Sequence, residues 1–173
     1  MTVVVRRLAP GDDRTNFASG NIELDRFLAR YAGQNQFRHH IGATYVAVEG
    51  GGPILGYATV AASEMAVASL APSLRKSLPA YPLPVLRLAR LAVRRDRRGE
   101  GIGSTLLRAV FALAHGMAAD FGCVGVVVDA KPEAVAFYRR LGFIALDARA
   151  GALGARPEPL PMFLELGAIP KAD

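Results

Sequence analysis

Apolar positions along the 173 residues recur with two spacings, one of two and one near three and a half. Val3 to Arg7 reads as a first strand, and Pro10-Gly11-Asp12-Asp13 as the turn that ends it. Asn21 or a neighbour can cap a helix from about Ile22 to Phe37, with Leu24, Phe27, Leu28 and Tyr31 on one face. Thr44 to Glu49 alternates as a strand. Gly50-Gly51-Gly52-Pro53 is a hairpin-type connection, and Ile54 to Ala62 is the partner strand. Residues 63–84, with Pro72, Pro79, Pro82 and Pro84, form a long connection with room for a short helix around Ser69 to Ser77.

The second half changes rhythm. Val85 to Val93 reads as a strand, followed by a charged, glycine-rich turn. A helix then carries Ile102, Leu106, Ala109, Val110 and Leu113 at helical spacing and ends before Gly122. Val124 to Asp129 is a short apolar strand. Pro132 and Glu133 suit the first turn of a further helix, and Leu141-Gly142 its end. Ile144 to Leu146 and Met162 to Leu166 make two last strands, joined by a Gly- and Pro-rich loop. A hairpin meander followed by alternating strands and helices predicts an α/β (α+β) fold, with a mixed central sheet of six to seven strands flanked by about four helices.

Composition narrows this picture. With 51% hydrophobic residues, residues 1–173 suit one domain with a sizeable core. Gly, Pro or charged residues interrupt each apolar run, so no membrane span is expected, and the start lacks the order of a secretory signal. The one cysteine, Cys123, forms no internal disulfide and sits at the edge of an apolar strand as a small core residue. A reducing cytoplasm is the expected compartment. The formal charge of +6 favours an anionic partner, whether nucleic acid, a phosphorylated cofactor or an acidic surface; a solvated arginine-rich surface gives the same sum.

The densest chemistry lies between Arg87 and Leu107. Gly99, Gly101 and Gly103 separate a strand from a helix. Glycines there let backbone N–H groups approach a ligand, and the helix start adds unpaired N–H groups and partial positive charge. Such a junction binds phosphate, with Arg94, Arg95, Arg97 and Arg98 adding formal charge. The plain alternative is a Gly-rich turn with a basic face. Further on, Ala134, Phe137, Tyr138 and Leu141 share a helical face, so Tyr138 on its own reads as a core aromatic.

Taken in order, the two segments are more specific. Arg98-x-x-Gly101-x-Gly103 resembles the Gln/Arg-x-x-Gly-x-Gly/Ala motif of the GNAT family of N-acetyltransferases, and Ala136-Phe-Tyr-x-x-Leu-Gly-Phe143 resembles that family's fourth-helix motif. The resemblance implies a GNAT fold using acetyl-coenzyme A (acetyl-CoA) and no metal. It implies that Leu91, Ala92 and Val93 pair with the pantetheine arm, and that Arg98, Gly99, Gly101, Ile102, Gly103 and Ser104 hold the pyrophosphate through backbone N–H groups. Phe137 would pack on the cofactor, and the Tyr138 hydroxyl would face the thioester sulfur as the catalytic acid.

The similarity extends to the toxin-type acetyltransferases of bacterial toxin–antitoxin pairs. Phe17 to Leu28, Ala43 to Val48, Ile54 to Ala58, Leu78 to Val85, Arg90 to Val93 and Val128 to Ala130 follow in the order of that group. It implies aminoacyl-tRNA as acceptor and a ribbon-helix-helix antitoxin as partner, no membrane, and leaves a homodimer open. Two positions depart from the pattern. Ser19 stands where many relatives have Cys, a change expected to touch only packing, and Ala89 stands where Gly is frequent, which bears on the strand bulge near the acceptor.

Chemistry separates the acceptors. A thiol titrates near about 8.5 and a phenol near about 10, so Tyr138 can keep its proton and give it to the departing thiolate. The Val93 N–H is the expected donor to the carbonyl oxygen. A lysine amine near about 10.4 needs strong deprotonation, whereas an α-amine near about 8 does not, and an ester lowers it further. No paired carboxylates announce a base. Glu64 is the best carboxylate for that role, with a surface turn residue as the alternative. Arg38, Arg75, Lys76 and Arg90 are candidate substrate contacts, with Arg26, Arg30, His39 and His40 alongside; favourable placement at a helix C-terminus explains the histidines equally. A small amine or protein terminus as acceptor, or a non-catalytic acyl-CoA or RNA-binding module, also remains open.

Overall fold

A computed structural model describes residues 2–146 and 159–171. In chain order the elements are β1 (Val3–Arg7), α1 (Ile22–Arg26), β2 (Ala43–Glu49), β3 (Gly56–Met65), α2 (Pro72–Arg75), β4 (Leu83–Val93), α3 (Ile102–Asp120), β5 (Gly125–Ala130), α4 (Val135–Arg140), β6 (Ile144–Ala145) and β7 (Leu160–Glu165). The seven strands make a mixed sheet in the order β1-β2-β3-β4-β5-β7-β6. The Gly- and Pro-rich loop expected before β7 falls at 147–158, outside the described residues. Backbone contacts group the chain into two compact units, Met1–Ala61 with Leu88–Val110, and Ala62–Arg87 with Phe111–Asp173.

In the first unit, β1, β2 and β3 pair antiparallel, with Val5 opposite Ala47 and Ala47 opposite Gly56. Their inward side chains meet the helical segment after Asn21 in a core of Leu8, Phe17, Phe27, Leu28, Val46, Val48, Ile54 and Tyr57. Asn21 caps α1, its side chain accepting from the Leu24 N–H at 3.1 Å. The uniform α-helix expected to Phe37 is broken by two π-helical turns, Phe27–Tyr31 and Gln34–Arg38. The wider turn moves the buried positions: Phe27 and Leu28 are followed inward five residues later by Ala32 and Gly33, and Tyr31 faces solvent at 43% exposure. Gln36 is therefore carried inside, where its amide donates to the Leu8 carbonyl (3.0 Å) and accepts from the Thr44 N–H (2.8 Å).

In the second unit, β5 pairs with β7 and β7 with β6, both antiparallel, with Val127 opposite Phe163 and Ile144 opposite Phe163. Met65, Leu70, Leu83, Val85, Val127 and Phe163 form its core. Cys123 is buried there, its thiol donating to the Gly125 carbonyl at 3.2 Å, as a core residue. The helix expected around Ser69 to Ser77 is reduced to a 3-10 turn, Val67–Ser69, and the single turn of α2, because Pro72 opens it and nothing caps it with a side chain. Glu64 lies within β3 rather than after it, and is exposed.

The expectation that no segment could span a membrane needs one correction: α3, at 19 residues, is long and apolar enough by length and composition. Its buried Ile102, Leu106, Leu107, Val110, Phe111 and Ala114 and exposed Arg108 mark it as a core helix of the fold.

Gly56 shows how tightly β3 approaches the start of α3. A Cβ there would sit 2.9 Å from the Ala92 carbonyl oxygen and 3.1 Å from both Ile102 Cγ2 and Leu106 Cδ1. Gly56→Ala is expected to lower stability by about 1–3 kcal/mol, read from urea denaturation; an unchanged midpoint would contradict this packing.

Candidate functional site

β4 delivers the chain to the glycine turn. Ala92 is buried, while Leu91 and Val93 are half-buried on either side of it. The Arg94 N–H bonds the Leu55 carbonyl at 2.8 Å, holding the strand end against the segment before β3. A 3-10 turn, Arg95–Arg97, follows, and then Gly99 and Gly101 at φ +81° and +80°. Side-chain-bearing residues rarely adopt that region, so two glycines close together are what the reversal into α3 requires. Nothing lies within 4 Å of the Cβ position at either glycine, so the turn is an open cradle. The first bond of α3 runs from the Thr105 N–H to the Gly101 carbonyl at 3.0 Å. Helix geometry thus leaves the N–H groups of Ile102, Gly103 and Ser104 without an intrahelical acceptor. These groups and the helix dipole can receive a phosphate.

The arginines around the turn differ from the sequence expectation of four free charges. Arg94 binds Asp96 through Nε and Nη2 (3.1 and 2.8 Å). Arg97 binds Glu100 at 2.7 Å and Glu49 at 3.0 Å, and these hydrogen bonds raise its pKa further above the ordinary guanidinium range. Arg98 gives Nη2 to the Ser19 carbonyl, and the Arg95 N–H bonds the Ala18 carbonyl at 2.9 Å. Three carboxylates thus offset most of the four cations. What this turn offers an anion is therefore oriented backbone N–H groups more than net charge.

The second unit holds the aromatic motif. A 3-10 turn, Pro132–Ala134, leads into α4, which ends at Gly142 with φ +98°. The Gly142 N–H bonds the Arg139 carbonyl (3.0 Å) and the Phe143 N–H bonds the Tyr138 carbonyl (3.1 Å). This is a Schellman cap, with Gly at the left-handed position and an apolar contact between Phe143 and Tyr138, whose rings lie 5.3 Å apart edge to face. Phe137 packs on the other side of Tyr138 at the same centroid distance. The spacing Tyr-x-x-Leu-Gly-Phe is therefore a device that fixes one phenol. Tyr138 is buried, and burial alone pushes its pKa up to about 12.

The sequence profile described as an acetyltransferase (GNAT) domain matches residues 40–145. The chain belongs to the GNAT acetyltransferase family. A relative, a tRNA-acetylating toxin of Mycobacterium tuberculosis, is 34% identical over 139 residues, 80% of this chain and 82% of its own. Among solved GNAT structures, AtaT complexed with acetyl-methionyl-tRNAfMet superposes with a TM-score of 0.84 at 26% identity, covering 97% of each chain. AtaTR bound with AcCoA gives a TM-score of 0.77 at 26% identity, covering 96% of this chain and 95% of that one.

Within this GNAT fold the first unit gathers Leu91, Ala92, Val93, Arg98, Gly99, Gly101, Ile102, Gly103 and Ser104 on one strand-turn-helix. The cations proposed for substrate are dispersed. Arg38 is exposed at the end of the second π turn, beside His39 and His40; Arg75 and Lys76 are exposed at the end of α2. Arg90 lies over the Phe27 ring, 3.7 Å from its centroid, a cation–π contact rather than a free charge. Ala89 is exposed on β4. Ser19 does more than pack: its hydroxyl donates to Asp25 at 2.6 Å and accepts from the Asn21 N–H at 3.1 Å, organising the start of α1.

Two residues went unnoticed in the sequence, Glu49 and Glu100. The Arg97-x-x-Glu100 spacing was visible, but Glu49 lies 48 positions from Arg97 and no local pattern joins them.

A folded-state pKa above the ordinary value near about 10 means Tyr138 contributes stability that is complete below that pH and lost as pH rises towards about 12. Comparing phenolate absorbance in wild type and Tyr138→Phe should show no Tyr138 ionisation by pH 10 in the folded protein. A Tyr138 step below that pH would contradict its burial.

Proposed function

We propose that this protein is an acetyl-CoA-dependent N-acetyltransferase that acetylates the amino group of aminoacyl-tRNA and thereby blocks translation as a toxin. The observation that carries the reading is the similarity along 80% of the chain to a tRNA-acetylating toxin. The open cradle at Gly99 and Gly101 fits the pyrophosphate of acetyl-CoA, which supplies the thioester. The two compact units act as one acetyltransferase domain, 1–173, since the matching profile runs through residues of both.

In this reading the backbone of Arg98 to Ser104 receives the pyrophosphate, the edge of Leu91 to Val93 aligns the pantetheine arm, and Phe137 packs on it. The α-amine attacks the carbonyl carbon, the Val93 N–H stabilises the developing oxyanion, and the carbon–sulfur bond breaks. The Tyr138 hydroxyl gives its proton to the departing thiolate and is reprotonated by the proton that the amine releases through water. A phenol with a raised pKa stays protonated throughout the physiological range, so the donor is always loaded. No dedicated base is needed, because an aminoacyl ester amine is largely neutral near pH 8. Arg38, Arg75 and Lys76 contribute positive potential for RNA phosphate, while Arg90 is held over the Phe27 ring. A ribbon-helix-helix antitoxin is the partner that restrains the activity, and the cytoplasm, where charged tRNA is consumed, is the compartment.

The test is acetyl transfer from radiolabelled acetyl-CoA to pools of charged tRNA. Label should reach the amino group of aminoacyl-tRNA, and Tyr138→Phe should lower turnover by about a hundredfold or more, with acetyl-CoA affinity within about twofold of wild type. Label that enters only small amines, or wild-type turnover in Tyr138→Phe, would overturn the acceptor or the acid respectively.

A further inference from the structure

We infer that Arg97 is a positioning residue that, braced between Glu49 and Glu100, sets the backbone of the phosphate-binding turn without touching phosphate. The inference rests on the reading of that turn as the pyrophosphate site. Glu100 stands between the two left-handed glycines, so its side chain is a direct lever on that stretch of backbone. Arg97 Nε holds the Glu100 carboxylate at 2.7 Å, and Arg97 Nη2 reaches Glu49 at 3.0 Å. Glu49 is a firm anchor. It ends β2, pairs with Val3 of β1, and its carbonyl accepts the Gly52 N–H at 3.0 Å.

A planar guanidinium suits this task, because its fork engages two carboxylates in a fixed geometry that an ammonium cannot reproduce. The Arg95 N–H and the Arg98 side chain fasten the residues before Gly99, but the glycines themselves are conformationally permissive and the space around both is open. A pair of partly exposed ion pairs adds little to global stability, which leaves local order at the turn as their effect. Binding to a turn already in shape avoids the cost of ordering it.

Glu49→Gln separates this role from simple electrostatics by sign. Removing a negative charge beside an anion site should tighten binding if charge alone matters. Positioning requires the opposite. Calorimetry with coenzyme A should show Glu49→Gln and Arg97→Met each weakening binding by about three- to tenfold, with Arg97→Lys in between. The KM for acetyl-CoA should rise by a similar factor, with kcat and the KM for charged tRNA unchanged. Glu100→Gln provides a second reading of the same sign should Glu49→Gln fold poorly. Tighter or equal coenzyme A binding in the glutamine variants would overturn the brace. Gly101→Val, strained at φ +80°, separates the two levels: if it leaves coenzyme A affinity unchanged, the turn is not the pyrophosphate site and the brace falls with it, whereas lost affinity there alongside unchanged glutamine variants removes the brace alone.

Discussion

The structure depends on a backbone reversal at Gly99 and Gly101, where two left-handed residues turn the end of β4 into the start of α3. A helix beginning immediately after such a reversal exposes its first N–H groups on an open side. Much of the neighbouring structure serves that bend. Gly56 lets β3 come within reach of Ala92, Ile102 and Leu106, and the Arg94 N–H secures the strand end at Leu55. The Arg95 N–H and the Arg98 side chain tie the turn to Ala18 and Ser19, whose hydroxyl in turn organises α1.

Charge is used here for shape as much as for attraction. A turn rich in arginine reads as a cluster of free cations, yet Asp96, Glu49 and Glu100 engage two of the four guanidinium groups, and a third binds a carbonyl. In the proposed reading, recognition of a diphosphate then falls to oriented peptide dipoles more than to formal charge. The surplus of positive charge is left to exposed positions such as Arg26, Arg30, Arg38, Arg75 and Lys76.

The other half of the chemistry follows the same logic through different means. Tyr138 is fixed by the cap that ends its own helix: Gly142 supplies the positive φ, and Phe143 returns to cover the ring. Burial keeps the phenol protonated, the state in which the proposed chemistry needs it. In each unit a glycine at positive φ places the group that the proposed chemistry uses, a set of N–H donors in one and a hydroxyl in the other.

Period and punctuation in the sequence were enough for all seven strands, the capping by Asn21 and the ends of α4, and resemblance to a known family for the two motifs, because each rests on residues near one another in the chain. Cys123 was legible as core for the same reason. The π turns after Phe27 were not, since they arise when Gln36 must reach Leu8 and Thr44 and the helix widens to bring it there. Nor was the pairing state of the arginines, which depends on carboxylates as distant as Glu49. Local steric preference is written into adjacent residues. Which distant charge neutralises which, and which face of a helix turns inward, is decided only when folding brings separate segments together.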